Sequence, residues 1–184
     1  MKSFSCETAG LQLRPLMKDD EPLFHALYSH AETMRFLSDP WTPSEVTKRF
    51  QKTVARQERP TLGNRYLVIV GKGGLAPMGI CGTSHYDPVD MRLEVGVMLL
   101  PAGRGLGVGK EALTALVGRA FEEPLVDEVY ARVAADNIAM KGLLVSVGFR
   151  PAGSVKDGGQ KSAMCEWSLH RSIWCVSKST TVRG

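Results

Sequence analysis

The feature that most constrains this chain is an abrupt change of hydrophobic period between residues 93 and 121. Leu93-Glu94-Val95-Gly96-Val97-Met98-Leu99-Leu100 places β-branched residues at alternate positions with a single charge, which is the pattern of a buried strand. From Ala112 onward the apolar residues Leu113, Leu116, Val117, Ala120 and Phe121 recur at three- and four-residue spacing, which gives a helix one apolar face. Gly103, Gly105, Gly107 and Gly109 fill the interval. A strand that enters a helix through glycines can turn successive backbone N–H groups toward one centre, and the first helical turn adds unpaired donors and the positive end of the helix dipole. Such a turn suits a phosphate. Glu128-Val129-Tyr130-Ala131-Arg132-Val133 then reads as a second strand, so the junction lies inside a right-handed βαβ crossover whose two strands run parallel.

Three glycine-rich turns compete for this stretch. A Walker-type loop ending at Gly109-Lys110 would need glycine at Arg104 and Ser or Thr at Glu111. A dinucleotide fingerprint begun at Gly105 would need glycine at Lys110, and Asp127, the acid about twenty residues on, precedes a strand instead of ending one. The third pattern, Arg-x-x-Gly-x-Gly, is met by Arg104, Gly107 and Gly109. It resembles the coenzyme A pyrophosphate loop of the GNAT superfamily of N-acetyltransferases. Glu111-Ala112-Leu113, Arg119-Ala120-Phe121, Ala135-Asp136-Asn137 and Gly148-Phe149 stand where that family has its next motifs. Leu11-Gln12-Leu13-Arg14-Pro15-Leu16 with Asp20, and His30-Ala31-Glu32-Thr33-Met34-Arg35-Phe36-Leu37, are similar to the branch of ribosomal-protein N-terminal (Rim-type) acetyltransferases. The likeness spans residues 10 to 170.

The resemblance implies an α/β (α+β) fold, a mixed and mostly antiparallel sheet of about six or seven strands with a central splayed parallel pair, flanked by helices. It implies acetyl-CoA as cosubstrate and an amine as acceptor. Arg104 and the backbone of Gly105, Leu106, Gly107, Val108, Gly109 and Lys110 would hold the pyrophosphate, the guanidinium fork being matched to phosphate. A backbone N–H at Met98, Leu99 or Leu100 would serve the oxyanion, with Gly96 easing a bulge in that strand. Asn137 either contacts the coenzyme or the facing strand through its side-chain amide, as the resemblance implies, or caps the following helix. Two departures stand out: Leu144 and Met140 occupy the places of the family's usual tyrosine acid and serine. Coenzyme A leaves well as a thiolate, so an acid is dispensable.

Glu94 is the lone carboxylate of an apolar strand and therefore faces solvent, a cleft or a partner. It is the candidate general base, a surface salt bridge being the plainer role. His85, near the preceding strand end, is a second candidate at the acceptor side. Trp41, at the mouth of a helix pair, either touches substrate or packs the pair together. An α-amine of pKa about 7.8 is neutral far more often at pH 7 than a lysine amine of about 10.4, a gap of about 3.5 kcal/mol, so a sparsely equipped site suits α-amines of peptides or small molecules. The rival reading is an acyl-CoA sensor or partner-binding module without turnover.

With 184 residues and 43% hydrophobic content the chain reads as one domain over residues 1–184, with its core near 10–170 and a polar, fraying tail at 175–184. The net charge of +4 is spread without a basic run, which favours a small anionic ligand over nucleic acid. Neither an apolar leader nor a membrane-length run is evident, and the four cysteines and four histidines show no metal-ligand spacing, so a cytoplasmic protein without a metal is expected. A homodimer is the assembly to test for. Along the rest of the chain, Leu11–Leu16 reads as an edge strand tolerant of Pro15, and Asp19 or Asp20 as the cap of a first helix. Thr42-Pro43-Ser44-Glu45 forms a capping box for a second helix with Val46, Phe50 and Val54 on one side. Two strands around 66–70 and 78–83 pair antiparallel. After the crossover, Leu143, Leu144 and Val147 line a helix ended by Gly148, and a hairpin at 155–159 leads to a closing strand at 163–169.

Overall fold

The alternating segments assemble into one sheet in a computed structural model that describes residues 5–58, 61–73, 76–155 and 163–181. Its strands are β1 (Cys6–Glu7), β2 (Leu11–Pro15), β3 (Asn64–Gly71), β4 (Pro77–Asp87), β5 (Arg92–Leu99), β6 (Glu128–Ala134), β7 (Arg150–Val155) and β8 (Met164–His170). Their order is β1-β2-β3-β4-β5-β6-β8-β7. Every pair is antiparallel except β5 with β6. The helices are α1 (Glu21–Tyr28), α2 (Ala31–Met34), α3 (Pro43–Gln57), α4 (Val108–Phe121), α5 (Ile138–Val147) and α6 (Arg171–Thr181). The expected crossover is therefore present: β5, α4 and β6 follow in turn, and β5 lies parallel to β6.

The apolar residues of β5 alternate between two cores because helices cover both faces. Leu93 and Val95 belong to the larger core with Leu113, Leu116 and Val117 of α4, while Met98 and, just past the strand, Leu100 pack against the smaller one under α1 and α3, around Phe24, Leu27, Val46 and Phe50. Parallel pairing of β5 with β6 is short. It joins Arg92 to Glu128, Leu93 to Val129 and Glu94 to Tyr130, and goes no further. Beyond Glu94 the two strands part, and the backbone groups on that side of β5 face a gap.

Several boundaries differ from the sequence reading. β2 is not an edge, since β1 pairs with it at Leu13 and Gln12; two residues are too short for a periodic signal. Asp20 begins α1 without a side-chain cap bond to it. Its carboxylate instead accepts from the Met17 N–H at 2.8 Å and from both terminal nitrogens of Arg14 at 2.7 Å, tying β2 to the start of α1. The expected bulge at Gly96 is absent, Gly96 standing in register with Gly82; the irregularity lies in β4 between Ser84 and Tyr86. The polar segment after residue 175 continues α6 as far as Thr181, and Trp174 of that helix packs on Phe121 at 6.1 Å. The capping box at Thr42 and Glu45 and the left-handed Gly148 at the end of α5 are as expected. The hairpin at 155–159 falls almost wholly outside the described residues.

Candidate active site

A cavity of about 600 Å³ opens where β5 and β6 part. One wall is the turn between β5 and α4. Gly105 and Gly107 both adopt positive φ, 75° and 78°, and a Cβ on either would meet nothing within 4 Å. Glycine is needed there for the backbone conformation, and the space beside it stays open. Gly107 is the N-cap of α4, whose first intrahelical bond runs from the Glu111 N–H to the Gly107 carbonyl. The N–H groups of Val108, Gly109 and Lys110 thus lack intrahelical acceptors and carry the positive end of the dipole. Gly109 is packed more tightly: a Cβ there would stand 3.3 Å from a methyl group of Leu143 and 3.4 Å from one of Leu99, so those side chains would have to give by a few tenths of an ångström.

Of the residues expected at the coenzyme, Met98, Leu99, Arg104 and Gly105 line this cavity, as do Gly107, Gly109, Lys110 and Asn137. Val108 does not; its side chain is buried in the larger core. The Leu106 side chain is exposed, and Leu100 is packed under α1 and α3. Asn137 settles into its capping role, accepting from the Met140 N–H at 3.1 Å, while still lining the cavity. Leu144, at the place of the family's acid, is fully buried.

The oxyanion candidates narrow by strand geometry. The Leu100 N–H donates to the Met78 carbonyl at 2.9 Å and is committed to β4. Alternation along the strand turns the Met98 N–H the same way and the Val97 and Leu99 N–H groups toward the gap. Leu99 is therefore the residue of that trio whose amide faces the opened side.

Arg104 is the largest departure. Its guanidinium is engaged by other partners, donating to Glu32 at 2.8 Å, to the Thr33 hydroxyl at 2.9 Å, and through two nitrogens to the Leu99 carbonyl at 3.3 and 3.2 Å. Glu32 and Thr33 belong to α2 and line the opposite lip of the cavity. Sequence reading missed both partners, since four residues of helix leave little periodic trace.

The acceptor-side candidates lie one strand step beyond the cavity lining. Glu94 is on the same face of β5 as Gly96 and is only 16% exposed. Its Oε2 lies 2.7 Å from His85 Nδ1 and 3.2 Å from the Ser84 hydroxyl. A carboxylate only accepts, so Nδ1 carries the proton in this pair. His85 occupies the bulge of β4 with φ of 45°, a left-handed conformation uncommon for a non-glycine residue. Its carbonyl accepts from the Tyr130 hydroxyl at 3.4 Å. Burial and the Glu94 charge raise the Tyr130 pKa, which keeps that hydroxyl a donor. Trp41 takes the packing role: its ring stacks on Tyr28 at 4.5 Å, Arg49 covers it at 4.2 Å, and it does not line the cavity. Among the described residues no cluster of His, Cys, Asp or Glu could hold a metal, and no helix is long and apolar enough to cross a membrane.

Comparison with known proteins agrees with this geometry. Residues 11–150 match the model of the family described as Acetyltransferase (GNAT) domain. The chain is 24% identical over 151 residues to an uncharacterized N-acetyltransferase, p20, of Bacillus licheniformis, covering 82% of this chain and 84% of that protein. Its fold is similar to that of spermidine N-acetyltransferase from Vibrio cholerae solved with CoA and spermine, at 16% identity and a TM-score of 0.77, covering 91% and 99% of the two chains. It is equally similar to RimL, the ribosomal L7/L12 alpha-N-protein acetyltransferase, in complex with coenzyme A, at 17% identity and a TM-score of 0.76, covering 90% and 97%. The parted central strands, the positive-φ glycine turn and a family match over most of the chain lead to one assignment: the chain belongs to the GNAT family and is an acetyl-CoA-dependent N-acetyltransferase.

Proposed function

We propose that the acetyl group goes to an α-amine, at a peptide or protein N-terminus or on a small molecule, and that Glu94 is the base that deprotonates it. The observation that carries this reading is the composition of the parted strands: one half-buried carboxylate held by His85 and Ser84, with the family's acid position filled by a buried leucine. Such a site removes a proton but lacks a dedicated donor, and an α-amine places the smallest demand on it. The two solved relatives act, by their names, on spermidine and on a protein α-amine, so kinship leaves the acceptor open.

The turn fits an anionic coenzyme. The N–H groups from Gly105 to Lys110 would hold its diphosphate, with Lys110 adding charge and Asn137 lining the pantetheine side. When bound, acetyl-CoA supplies an activated acyl group whose thiolate leaves without prior protonation. Glu94 receives both of its contacts on Oε2, so Oε1 is the oxygen available to the acceptor ammonium, directly or through one water. The neutral amine then attacks the carbonyl carbon, and the Leu99 N–H faces the oxygen where negative charge develops. The C–S bond breaks and releases the thiolate; the acetylated nitrogen gives its remaining extra proton to water, the thiolate takes one from water, and Glu94 returns the proton it accepted to solvent.

Thiol release measured with acetyl-CoA and a panel of amines tests the assignment: peptides with free N-termini, the same peptides Nα-blocked but bearing lysine, a polyamine, and small monoamines. Turnover confined to unblocked peptides or small α-amines supports it. Turnover on blocked lysine peptides or the polyamine alone overturns the α-amine preference, and coenzyme binding without turnover on any amine favours the acyl-CoA sensor.

A further inference from the structure

Within the proposed reading, in which the glycine turn holds the coenzyme, we infer that Arg104 is a positioning residue for the acceptor lip and not a ligand of the diphosphate. A guanidinium has five N–H donors in one plane. Four of Arg104's are engaged: one on Glu32, one on Thr33 and two on the Leu99 carbonyl. A diphosphate could take the fifth at most without dismantling the arrangement. The three partners define what it does. Glu32 and Thr33 are the body of α2, and Leu99 is the residue whose N–H faces the gap between β5 and β6. Arg104 therefore clamps the acceptor-side lip to the end of the central strand across a sequence separation of 72 residues.

Little else fixes that lip. Met34 is its one buried side chain, at 1% exposure, while Glu32, Arg35 and Leu37 are exposed. Phe36 is covered by Arg35, a neighbour within the same segment, at 4.2 Å. An isolated ion pair at 36% and 56% exposure would contribute little. The planar fork contributes because four N–H donors in one fixed plane meet a carboxylate, a hydroxyl and a carbonyl at once, whereas a lysine offers three donors on one freely rotating ammonium. Phe36 and Leu37 line the cavity, so the position of the lip sets the shape that the acceptor meets.

The test is made on the full chain with Arg104→Gln, Arg104→Lys and the double variant Glu32→Gln/Thr33→Val. Calorimetric titration with coenzyme A, steady-state kinetics with the best amine of the panel, and hydrogen exchange across residues 31–37 are compared with wild type. A positioning role gives all three variants a coenzyme dissociation constant within about twofold of wild type. It also gives an acceptor KM raised about fivefold or more at similar kcat, and faster exchange in 31–37. The double variant leaves the guanidinium in place, so its agreement with Arg104→Gln assigns the effect to the clamp and not to lost charge. The inference is overturned if Arg104→Gln weakens coenzyme binding tenfold while exchange in 31–37 is unchanged, or if the double variant alters neither exchange nor KM. Exchange is read without turnover, so a failed clamp is distinguishable from a wrongly assigned acceptor. Absence of coenzyme binding by wild type would instead strike the reading of the turn.

Discussion

The two sides of the cleft are built from different materials. The side proposed for the coenzyme is backbone: glycines at positive φ, helix N–H groups without intrahelical acceptors and tight packing at Gly109, all within residues 103–110. The side proposed for the acceptor is made of side chains from distant segments, with α2, the bulge at His85, Glu94 and Arg104 each contributed by a different part of the chain. A backbone site tolerates change everywhere except at its glycines. A side-chain site is adjustable residue by residue, and the solved relatives are named for acceptors as different as spermidine and a protein α-amine.

The comparison breaks most visibly at Glu94. Glu94→Gln should lower kcat by about a hundredfold near neutral pH with the coenzyme dissociation constant unchanged. The deficit should shrink as pH rises toward the amine's own pKa, where more acceptor arrives neutral; a flat, undiminished rate from pH 6 to 9 would remove Glu94 from the mechanism. Gly107→Ala should act on the other side. A left-handed alanine costs about 1–2 kcal/mol, and a methyl group there enters the open space of the turn, so calorimetry should show coenzyme bound about tenfold more weakly. Normal affinity would break the backbone reading of the turn.

Gly96 sharpens the boundary between the sides. A Cβ there meets nothing within 4 Å, so Gly96→Leu should fold normally, fill part of the cleft and raise acceptor KM about fivefold while sparing coenzyme affinity. A coenzyme defect would show that the cavity is not divided at that strand. The smallest effect concerns the scaffold of the acceptor side. Burial alone would raise the Asp20 pKa, but the Arg14 hydrogen bonds, the Met17 N–H and the Arg14 charge outweigh it and leave the pKa lowered. A carboxylate depressed on folding stabilises the protein above its unfolded pKa of about 3.9, and that contribution is lost as pH falls through the folded value. Asp20→Asn should cost about 1 kcal/mol in urea unfolding at pH 7, with the gap from wild type closing below about pH 4. A gap constant with pH would mean that the charge contributes nothing.

Legibility in the sequence followed the same division. The crossover, the glycine turn, the α3 capping box and the buried helix face of α4 were readable because each signal repeats within a few residues. The short β1, the four residues of α2 and the helical course of the polar segment after residue 175 were not, because two to four residues carry no period and α6 is held by Trp174 against Phe121, a contact 53 positions apart in the chain. Glu94 and His85 were each named as candidates, but nothing in their spacing foretold that a bulge would bring them to 2.7 Å. Trp41 was open to two roles in the sequence, and the structure shows the packing one, with Tyr28 stacked on its ring and Arg49 over it.

By itself, then, the sequence determined that a buried strand enters a helix through a turn only glycine can make, because φ preference, helix dipole and hydrophobic period are local properties of residues a few positions apart. Only the tertiary structure decided where Arg104 points. Its motif position suggests a phosphate, but a guanidinium on a flexible stem goes to the acceptors within reach. Which acceptors those are depends on α2 being folded back over the end of β5, so that Glu32 meets a guanidinium 72 residues downstream of it in the chain.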